Sequence, residues 1–377
     1  MSGVTLRLTS HLSPLLFVDL LTLRAAAGGG SIDGIPAARL VAAGFTLLQR
    51  SPVLVRALAG RRAAILMPTS PQFLVALAAS DGRGAVLVSP LATGAEIAYQ
   101  LQDANVGAVL TIRALAPRLP AGTVHVLLDD APAAAEVVAG DGTGARVDLG
   151  SHFGLELEGD AHQPGRDEEC VIVYTSAMAG RPLGAILTHR NLLANARQSI
   201  QVGQFGTGDH LLALLPYSHL FGLITAGIAP LIAGARVTTM ARFDAIAAAD
   251  RIANDGVSML VGVPAIFAAL LTAIERREVP FVAPALRLCI CGGAPLSADL
   301  QARWATVTGV RVSIRDAERS TELPHGTEGE ICVAGETVFR GYVSGGDDGL
   351  QVRDGWLHTG DRGVENADGT YSPRCRE

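Results

Sequence analysis

Hydrophobic positions in roughly the first third of the chain fall into short runs, and amphipathic stretches lie between them. The runs are rich in Ala, Val, Ile and Leu, which is typical of strands buried on both faces. The stretches through Phe73 and from Ala95 to Asp103 have helical spacing, and we interpret residues 1–60 as helices. Strands that alternate with helices predict an α/β fold with a largely parallel sheet. The predicted strands are Arg62 to Met67, Gly84 to Pro90, Ala108 to Thr111 and Val124 to Leu128.

The same alternation returns after a Gly-, Asp- and Pro-rich stretch from Ala139 to Glu169, which we interpret as a linker or surface excursion. After Gly309, short alternating runs with Gly turns predict a small β-barrel or sheet. The pattern therefore predicts two βα subdomains with largely parallel sheets, at 1–150 and 151–310, and a β-barrel subdomain at 311–377. The strands expected in the second subdomain include Val171 to Tyr174, Leu211 to Leu215, Arg236 to Met240, Met259 to Val261 and Leu286 to Cys291.

The longest apolar run, Leu211 to Val237, has the length of a membrane span. Because Pro, Gly, His and Arg positions interrupt it, we interpret it as buried helix and strand. Near the N-terminus, Asp19 interrupts a shorter apolar stretch that no basic segment precedes, so a signal peptide is not expected. We therefore expect a cytoplasmic protein without a membrane span.

Charge and composition narrow the possible functions. The net charge is −6 and no basic run is present, so nucleic-acid binding is not indicated. All 30 basic residues are Arg. Without lysine, no group of this sequence can act as an ammonium base, form a Schiff base or place a lysine charge on a phosphate. The cysteines are expected to be reduced, and they are Cys170, Cys289, Cys291, Cys332 and Cys375.

The stretch from Val171 to Leu192 carries the first candidate for chemistry. It predicts a strand, a loop of small residues from Thr175 to Gly184, a second short strand and the start of a helix. Backbone N–H groups and hydroxyls of such a loop can bind a phosphate. An ordinary tight turn between two strands is the alternative, since no Walker-type Gly-Lys-Ser/Thr is present.

This stretch resembles the phosphate loop of the AMP-forming acyl/aryl-acid ligases, which include acyl-CoA synthetases, adenylation domains and luciferases. The family pattern is T-S-G-T-T-G-x-P-K-G, followed by T-H-x-N-L at a helix start. Ala177, Met178 and Ala179 replace a Gly and two hydroxyl residues, and Leu183 replaces the Lys. The matching residues are Thr175, Ser176, Gly180, Pro182, Gly184, Thr188, His189, Asn191 and Leu192.

Three further motifs follow in the family's order. Leu214 to Leu223 resembles L-P-x-x-H-x-x-G, Cys291 to Leu296 resembles S-G-G-A-P-L, and Gly355 to Asp361 resembles G-W-x-x-T-G-D. The resemblance implies that an acid binds among His219, Phe221, Gly222, Val263 and Gly292, with His219 also the candidate catalytic residue. It implies a nucleotide, ATP or AMP, at Thr175, Ser176, Gly180, Gly184, Gly293, Ala294, Pro295, Asp361 and Arg374.

Several groups of the family pattern are missing. The family's mobile C-terminal domain, which carries a catalytic Lys, would begin where this sequence ends and is expected to be absent. The family's Mg²⁺-binding Glu should follow Gly309 closely. Either that block is deleted, which we favour, or Thr321-Glu322 is its remnant, which makes Glu322 a candidate Mg²⁺ ligand. Weakened or lost ATP binding and a doubtful Mg²⁺ site follow, while CoA stays a candidate ligand.

Three functions stay open. The first is an active acyl-CoA-forming ligase that works with a separate C-terminal domain or partner. The second is a catalytically impaired homologue, a pseudoenzyme that keeps a pocket for a carboxylic acid or acyl thioester and acts with a protein partner. The third is an acyl-thioester hydrolase or transferase on the same scaffold, with His219 or His189 as base. The missing groups favour the second function, with a fatty or aryl acid as ligand.

Overall fold

The structure is a computed structural model, and its described residues cover most of the chain up to residue 294. These are residues 30–80, 84–150, 167–175, 181–278, 280–294, 296–297, 299–300, 303–304 and 307, with six strands between 312 and 374.

The strands, in chain order, are β1 (Ser31–Ile32), β2 (Ile35–Pro36), β3 (Arg62–Leu66), β4 (Ala85–Val88), β5 (Val106–Thr111), β6 (His125–Leu127), β7 (Ala134–Val138), β8 (Gly144–Asp148), β9 (Glu169–Tyr174), β10 (Gly184–Thr188), β11 (His210–Ala213), β12 (Arg236–Thr239), β13 (Met259–Gly262), β14 (Leu288–Cys291), β15 (Val312–Ile314), β16 (Glu328–Ala334), β17 (Gly341–Tyr342), β18 (Val352–Arg353), β19 (Trp356–Glu365) and β20 (Tyr371–Arg374).

The α-helices are α1 (Ala37–Arg50), α2 (Pro52–Leu58), α3 (Gln72–Ala79), α4 (Gly94–Asp103), α5 (His189–Gly203), α6 (Ala229–Ala233), α7 (Ala245–Asn254) and α8 (Pro264–Glu275). A 3₁₀ turn spans Ala116–Arg118, and a π-helix spans Phe221–Ile228.

Nine strands form the first sheet, in the order β17-β10-β9-β4-β3-β5-β6-β7-β8. Strands β9, β4, β3, β5 and β6 are parallel, and antiparallel strands flank them on both sides. All residues of β4 and β5 are buried, which explains why these strands appear in the sequence as continuous apolar runs. Because β9 and β10 join this sheet, its strands extend beyond residue 150, where the sequence analysis divides the chain; that division stays a prediction.

Seven strands form the second sheet, in the order β15-β14-β13-β11-β12-β1-β2. All neighbours are parallel except β1 and β2. Ile32 of β1 pairs with Val237 of β12, so a segment before the first sheet completes the second one. The interpretation of residues 1–60 as helices was therefore wrong for β1 and β2, because strands of two residues are too short to show a period.

The interpretation of Ala139 to Glu169 as a linker was also wrong in part. Strand β8 lies within it and pairs antiparallel with β7 at the end of the first sheet. Four of the five residues of β8 are exposed, with Val147 the buried one. Such an edge strand has no apolar run, so its sequence resembles a loop.

Strands β16, β18, β19 and β20 form a third, antiparallel sheet of four strands around β19. Its predicted closure into a barrel stays a prediction, as does the expected absence of a further domain. The α/β fold with largely parallel sheets is confirmed.

The first two sheets share one hydrophobic core. It contains Leu40 of α1, Ile65 of β3 and Val237 of β12. Another core lies around α8, where the rings of Phe267 and Trp304 meet edge to face, 5.0 Å apart.

The apolar run Leu211 to Val237 divides into β11, the π-helix, α6 and β12, which confirms its interpretation as buried helix and strand. No helix among the described residues combines the length and apolarity that a membrane crossing requires.

Candidate functional site

The carboxyl ends of β11, β13 and β14 meet at one edge of the second sheet. Because these three strands are parallel neighbours, the loops that follow them emerge side by side. The loops contain residues 214–220, Val263 and residues 292–294. Two of the sequence motifs and the predicted site residue Val263 are thus brought to one place, which is where α/β sheets commonly bind ligands.

His219 lies in the turn between β11 and the π-helix. Its N–H donates to the carbonyl oxygen of Pro216 (3.1 Å), and its own carbonyl oxygen accepts the N–H of Leu223 (2.8 Å). The residue is exposed, yet the protein atoms around its imidazole disfavour the charged form and lower the pKa of His219. No carboxylate of the described residues contributes to this pKa, so the surroundings do not favour a Ser-His-acid arrangement.

The π-helix approaches the His219 turn closely at Gly222. A Cβ there would lie 2.2 Å from the carbonyl oxygen of Pro216, well inside contact distance. Only glycine permits this approach, which accounts for the Gly of the L-P-x-x-H-x-x-G motif. π-Helices are rare and frequent at functional sites.

Phe221, Val263, Gly292 and Gly293 form an apolar surface at this edge. A Cβ on Gly292 would lie 3.3 Å from Cζ of Phe221, and one on Gly293 would lie 3.4 Å from Cγ1 of Val263. The N–H of Gly292 donates to the carbonyl oxygen of Gly262, 3.1 Å away, which joins the loops after β13 and β14. None of the four surface residues is fully buried, so they are open to an apolar ligand.

The base of the small-residue loop is a hairpin between β9 and β10. The N–H of Thr175 donates to the carbonyl oxygen of Leu183 (2.9 Å), and the N–H of Leu183 donates to Oγ1 of Thr175 (3.2 Å). Gly184 is buried and pairs with Tyr174. These bonds fix both ends of the loop.

Two tyrosines connect the loop base to α4. The hydroxyl of Tyr99 donates to the carbonyl oxygen of Pro182 (2.8 Å), and that of Tyr174 donates to Oδ2 of Asp103 (2.7 Å). The rings lie edge to face, 6.0 Å apart. Burial and the hydrogen bond to Asp103 raise the pKa of Tyr174, so its hydroxyl stays a donor.

At the described loop base, one charged group of the resembling family's phosphate loop is absent. Leu183 stands where the resembling family has Lys, and its side chain offers no charge or donor to a phosphate oxygen. Arg181 is exposed beside it. Burial and the charge of Asp103 raise the pKa of Tyr99, and the charge of Arg181 opposes that shift.

The T-H-x-N part of the motif has a structural role. Thr188 and Asn191 form a capping box at the start of α5, with Asn191 N–H to Thr188 Oγ1 at 3.3 Å and Thr188 N–H to Asn191 Oδ1 at 2.8 Å. His189 between them is 1% exposed. Its burial does not favour the role of a base toward a substrate.

Asp361 and Arg374 lie in the third sheet. Strand β19 has a β-bulge opposite β16, because Cys332 pairs with His358 while Glu330 pairs with Arg362. Asp361 belongs to this bulge. Arg374 ends β20 and pairs with Arg362 of β19. Strand β17 pairs with β10, which brings this part of the chain beside the loop base.

Ser176, Gly180, Pro295 and Glu322 lie outside the described residues, so their predicted roles stay predictions. Ala294 follows Gly293 and is exposed. Within the part of the chain that the structure describes, no group of three His, Cys, Asp or Glu side chains could hold a metal ion.

Thr69 and Tyr217 lie behind the His219 turn and were not among the predicted site residues. Thr69 is 5% exposed and Tyr217 is 3% exposed. In the sequence, Thr69 is only one of several turn residues after β3, so nothing there distinguishes it.

Comparison with known proteins agrees with the motifs. The family model described as AMP-binding enzyme matches residues 54–314. A rice protein named 4-coumarate–CoA ligase-like 3 (Oryza sativa subsp. japonica) is 30% identical over 97% of this chain and 71% of its own. The feruloyl-CoA synthase of an Amycolatopsis species is 29% identical over 83% of this chain and 67% of its own.

Solved structures show the same fold. Apo MatB from Rhodopseudomonas palustris superposes with a TM-score of 0.74 at 24% identity, over 95% of this chain and 78% of its own. The N-terminal domain of FACL13 from Mycobacterium tuberculosis superposes with a TM-score of 0.73 at 20% identity, over 96% of this chain and all of its own. Together with the matched family model, the motifs at the carboxyl edge of the second sheet show that this chain belongs to the AMP-binding enzyme family.

Proposed function

We propose that this chain binds a carboxylic acid or its acyl thioester, of the fatty or aryl type, at the carboxyl edge of the second sheet, and that its adenylation activity is impaired. The observation that carries the proposed impairment of adenylation is Leu183, an aliphatic side chain at the base of the phosphate loop. The ligase relatives whose names include coumarate and feruloyl suggest an aryl acid as one ligand class.

The apolar surface supports acid or acyl binding. Phe221, Val263 and the glycines after β14 expose apolar atoms and backbone, which suits an acyl or aryl group. The imidazole of His219 lies next to this surface in sequence and is largely neutral at pH 7, since its pKa is lowered. A neutral imidazole can hydrogen-bond a carbonyl or carboxyl oxygen.

Impairment is supported by the number of missing groups. Removing one preorganised donor from an active site costs about 10²–10³ in rate. Here the loop lysine and two loop hydroxyl residues are replaced together, by Leu183, Met178 and Ala179. Phosphoryl chemistry relies on positioning and charge stabilisation, so adenylation is expected to be slow or absent.

The experiment is acid-dependent ATP–pyrophosphate exchange with decanoic and cinnamic acids, on the wild type, Leu183→Lys and Arg181→Lys. Leu183→Lys restores a lysine at the loop base, while Arg181→Lys introduces one two residues away. We expect no exchange above background in the wild type and in Arg181→Lys, and a gain in Leu183→Lys. Substantial exchange by the wild type would refute impairment and support the ligase that works with a separate domain or partner.

Binding is tested separately by thermal shift and calorimetry with decanoic acid, cinnamic acid and their CoA thioesters. Stabilisation by an acid or thioester, in the absence of exchange, is the expected result. If none of these ligands binds, the proposed acyl pocket is wrong.

A further inference from the structure

The turn before His219 is hydrogen-bonded to a residue of the first sheet region. Thr69, in the turn after β3, donates its hydroxyl to the carbonyl oxygen of Leu215 (3.2 Å) and accepts the N–H of Tyr217 (3.1 Å). Pro216 between these two residues has no N–H. The Thr69 hydroxyl therefore uses both its donor and its acceptor capacity to bridge the backbone groups on either side of the proline.

Packing from the same region supports this bridge. The ring of Phe73, at the start of α3, meets the ring of Tyr217 edge to face, with centroids 5.6 Å apart. On its other side the Tyr217 ring lies against the π-helix, since a Cβ on Gly227 would be 3.1 Å from it. Thr69 is 5% exposed, so water has little access to the two hydrogen bonds of its hydroxyl.

The bridge lies directly before the residues of the candidate site. Residues 215–217 lead into His219 and Phe221, and Gly222 packs on the carbonyl oxygen of Pro216. A shift of this turn would therefore move the π-helix and the apolar surface relative to the loops after β13 and β14.

We propose that Thr69 is a positioning residue of the acyl site, whose hydroxyl holds the turn 215–217 and thereby sets the places of the His219 imidazole and the Phe221 ring. The identity of the ligand as an acyl group rests on the proposed function. The positioning itself concerns the geometry of the turn and is testable without any ligand.

Thr111 provides a matched control. It is also a fully buried threonine, and its hydroxyl donates to the backbone carbonyl of Leu66 at 2.7 Å. Thr111 lies within the first sheet and makes no bond to the His219 turn. Thr69→Val and Thr111→Val each remove one buried hydroxyl without changing the shape of the side chain.

The first measurement is the NMR titration of the His219 ring protons, assigned by their loss in His219→Gln. The protein atoms around the imidazole lower the pKa of His219 although the residue is exposed, so a displaced turn that moves the ring away from those atoms should raise this pKa toward about 6.5. We expect this rise in Thr69→Val, the wild-type value in Thr111→Val, and recovery in Thr69→Ser. A wild-type titration in Thr69→Val, or an equal shift in Thr111→Val, would overturn the proposal.

If Thr69→Val does not fold, Thr69→Ser and Thr69→Ala replace it, because these two differ only in the hydroxyl. A His219 pKa that is the same in both would overturn the proposal, and a higher one in Thr69→Ala supports it.

The second measurement is the affinity for decanoic and cinnamic acids. Loss of the bridge is expected to weaken binding about tenfold in Thr69→Val and to leave Thr111→Val near the wild type. If the wild type binds neither these acids nor their CoA thioesters, the proposed function fails while the titration still decides the role of Thr69. Wild-type affinity in Thr69→Val would contradict positioning even where acid binding stands.

Discussion

Asp209 is expected to stabilise the second sheet at the edge opposite the candidate site. It precedes β11 and is 6% exposed. Its carboxylate accepts bonds from Nε and Nη2 of Arg287 (2.8 and 2.6 Å), from Oγ of Ser258 (2.8 Å) and from the N–H of Gly206 (2.9 Å). Ser258 precedes β13 and Arg287 precedes β14, so the bonds to Asp209 join the starts of three parallel strands. We predict that Asp209→Asn destabilises the protein without altering the acyl site.

The expected loss of stability in Asp209→Asn follows from how deeply Asp209 and Arg287 are buried. Removing one partner of a buried ion pair costs about 3–5 kcal/mol. The Arg287 side chain is 39% exposed, so its uncompensated charge is partly hydrated. The amide of Asn also keeps one acceptor for the same donors. We therefore expect a loss of about 2–3 kcal/mol in the free energy of unfolding at neutral pH.

The effect depends on pH with a defined sign. Burial alone would raise the pKa of Asp209, but the hydrogen bonds from Arg287, Ser258 and Gly206 outweigh it, so the pKa lies below its usual range. A carboxyl with a lower pKa in the folded state stabilises fully above its unfolded pKa of about 3.9. That contribution is lost as pH falls through the folded pKa. The difference between the wild type and Asp209→Asn should therefore shrink below about pH 4.

The assay is urea unfolding followed by tryptophan fluorescence, from neutral pH to about pH 3. Glu275→Gln is the control, because Arg303 also donates two bonds to Glu275 (2.9 and 3.0 Å) but both side chains are about half exposed. Exposed pairs contribute little, so the control should lose much less stability. Equal losses in the two variants, or a difference that persists in acid, would refute the reasoning.

Three further predictions concern packing, the loop base and the thiols. Gly222→Ala would place a Cβ 2.2 Å from a backbone carbonyl oxygen, so urea unfolding should show a loss of about 2 kcal/mol in the free energy of unfolding. Gly94→Ala is the control, since no atom lies within 4 Å of its Cβ, and it should be neutral or slightly stabilising. Similar losses in the two variants would contradict this prediction. Tyr99→Phe removes a 2.8 Å bond to the loop base, so amide hydrogen exchange in the β9–β10 hairpin should quicken, and unchanged exchange would count against this anchor. Burial raises the pKa of Cys289 to about 12 and that of Cys291 to about 11. Mass spectrometry should therefore find that both thiols alkylate slowly at neutral pH until urea is added. Rapid labelling of the folded protein would disprove their burial.

The parallel strands were predictable because they are buried on both faces. Strands β4, β5 and β13 consist wholly of buried residues, and apolar runs of that kind mark a strand wherever it lies in the sheet. Strands β1 and β8 were not predicted, for two different reasons. The first is too short to show a period, and the second has one buried residue in five. Which sheet a strand joins also escaped prediction, since that depends on pairing across the chain.

The location of the candidate site was predictable for a similar reason. Phe221, Val263, Gly292 and Gly293 come together because each follows, directly or after a short turn, a strand of the same parallel set. Thr69 could not be found this way, because its partner Leu215 is 146 residues further along the chain. The bond between them depends on how the two sheets pack, and no local pattern encodes that.

The residues that match the family motif and those that depart from it differ in what the fold requires of them. Thr188 and Asn191 cap α5, and Gly222 permits a close approach, so these positions are constrained by structure. At Leu183 the hairpin uses only the backbone N–H and carbonyl, which any residue other than proline supplies. The fold therefore tolerates a leucine there, and under the proposed impairment the substitution bears on phosphate chemistry rather than on folding. For the same reason Leu183→Lys should restore the charge without disturbing the hairpin, so a failure to gain exchange would point to the other replaced groups.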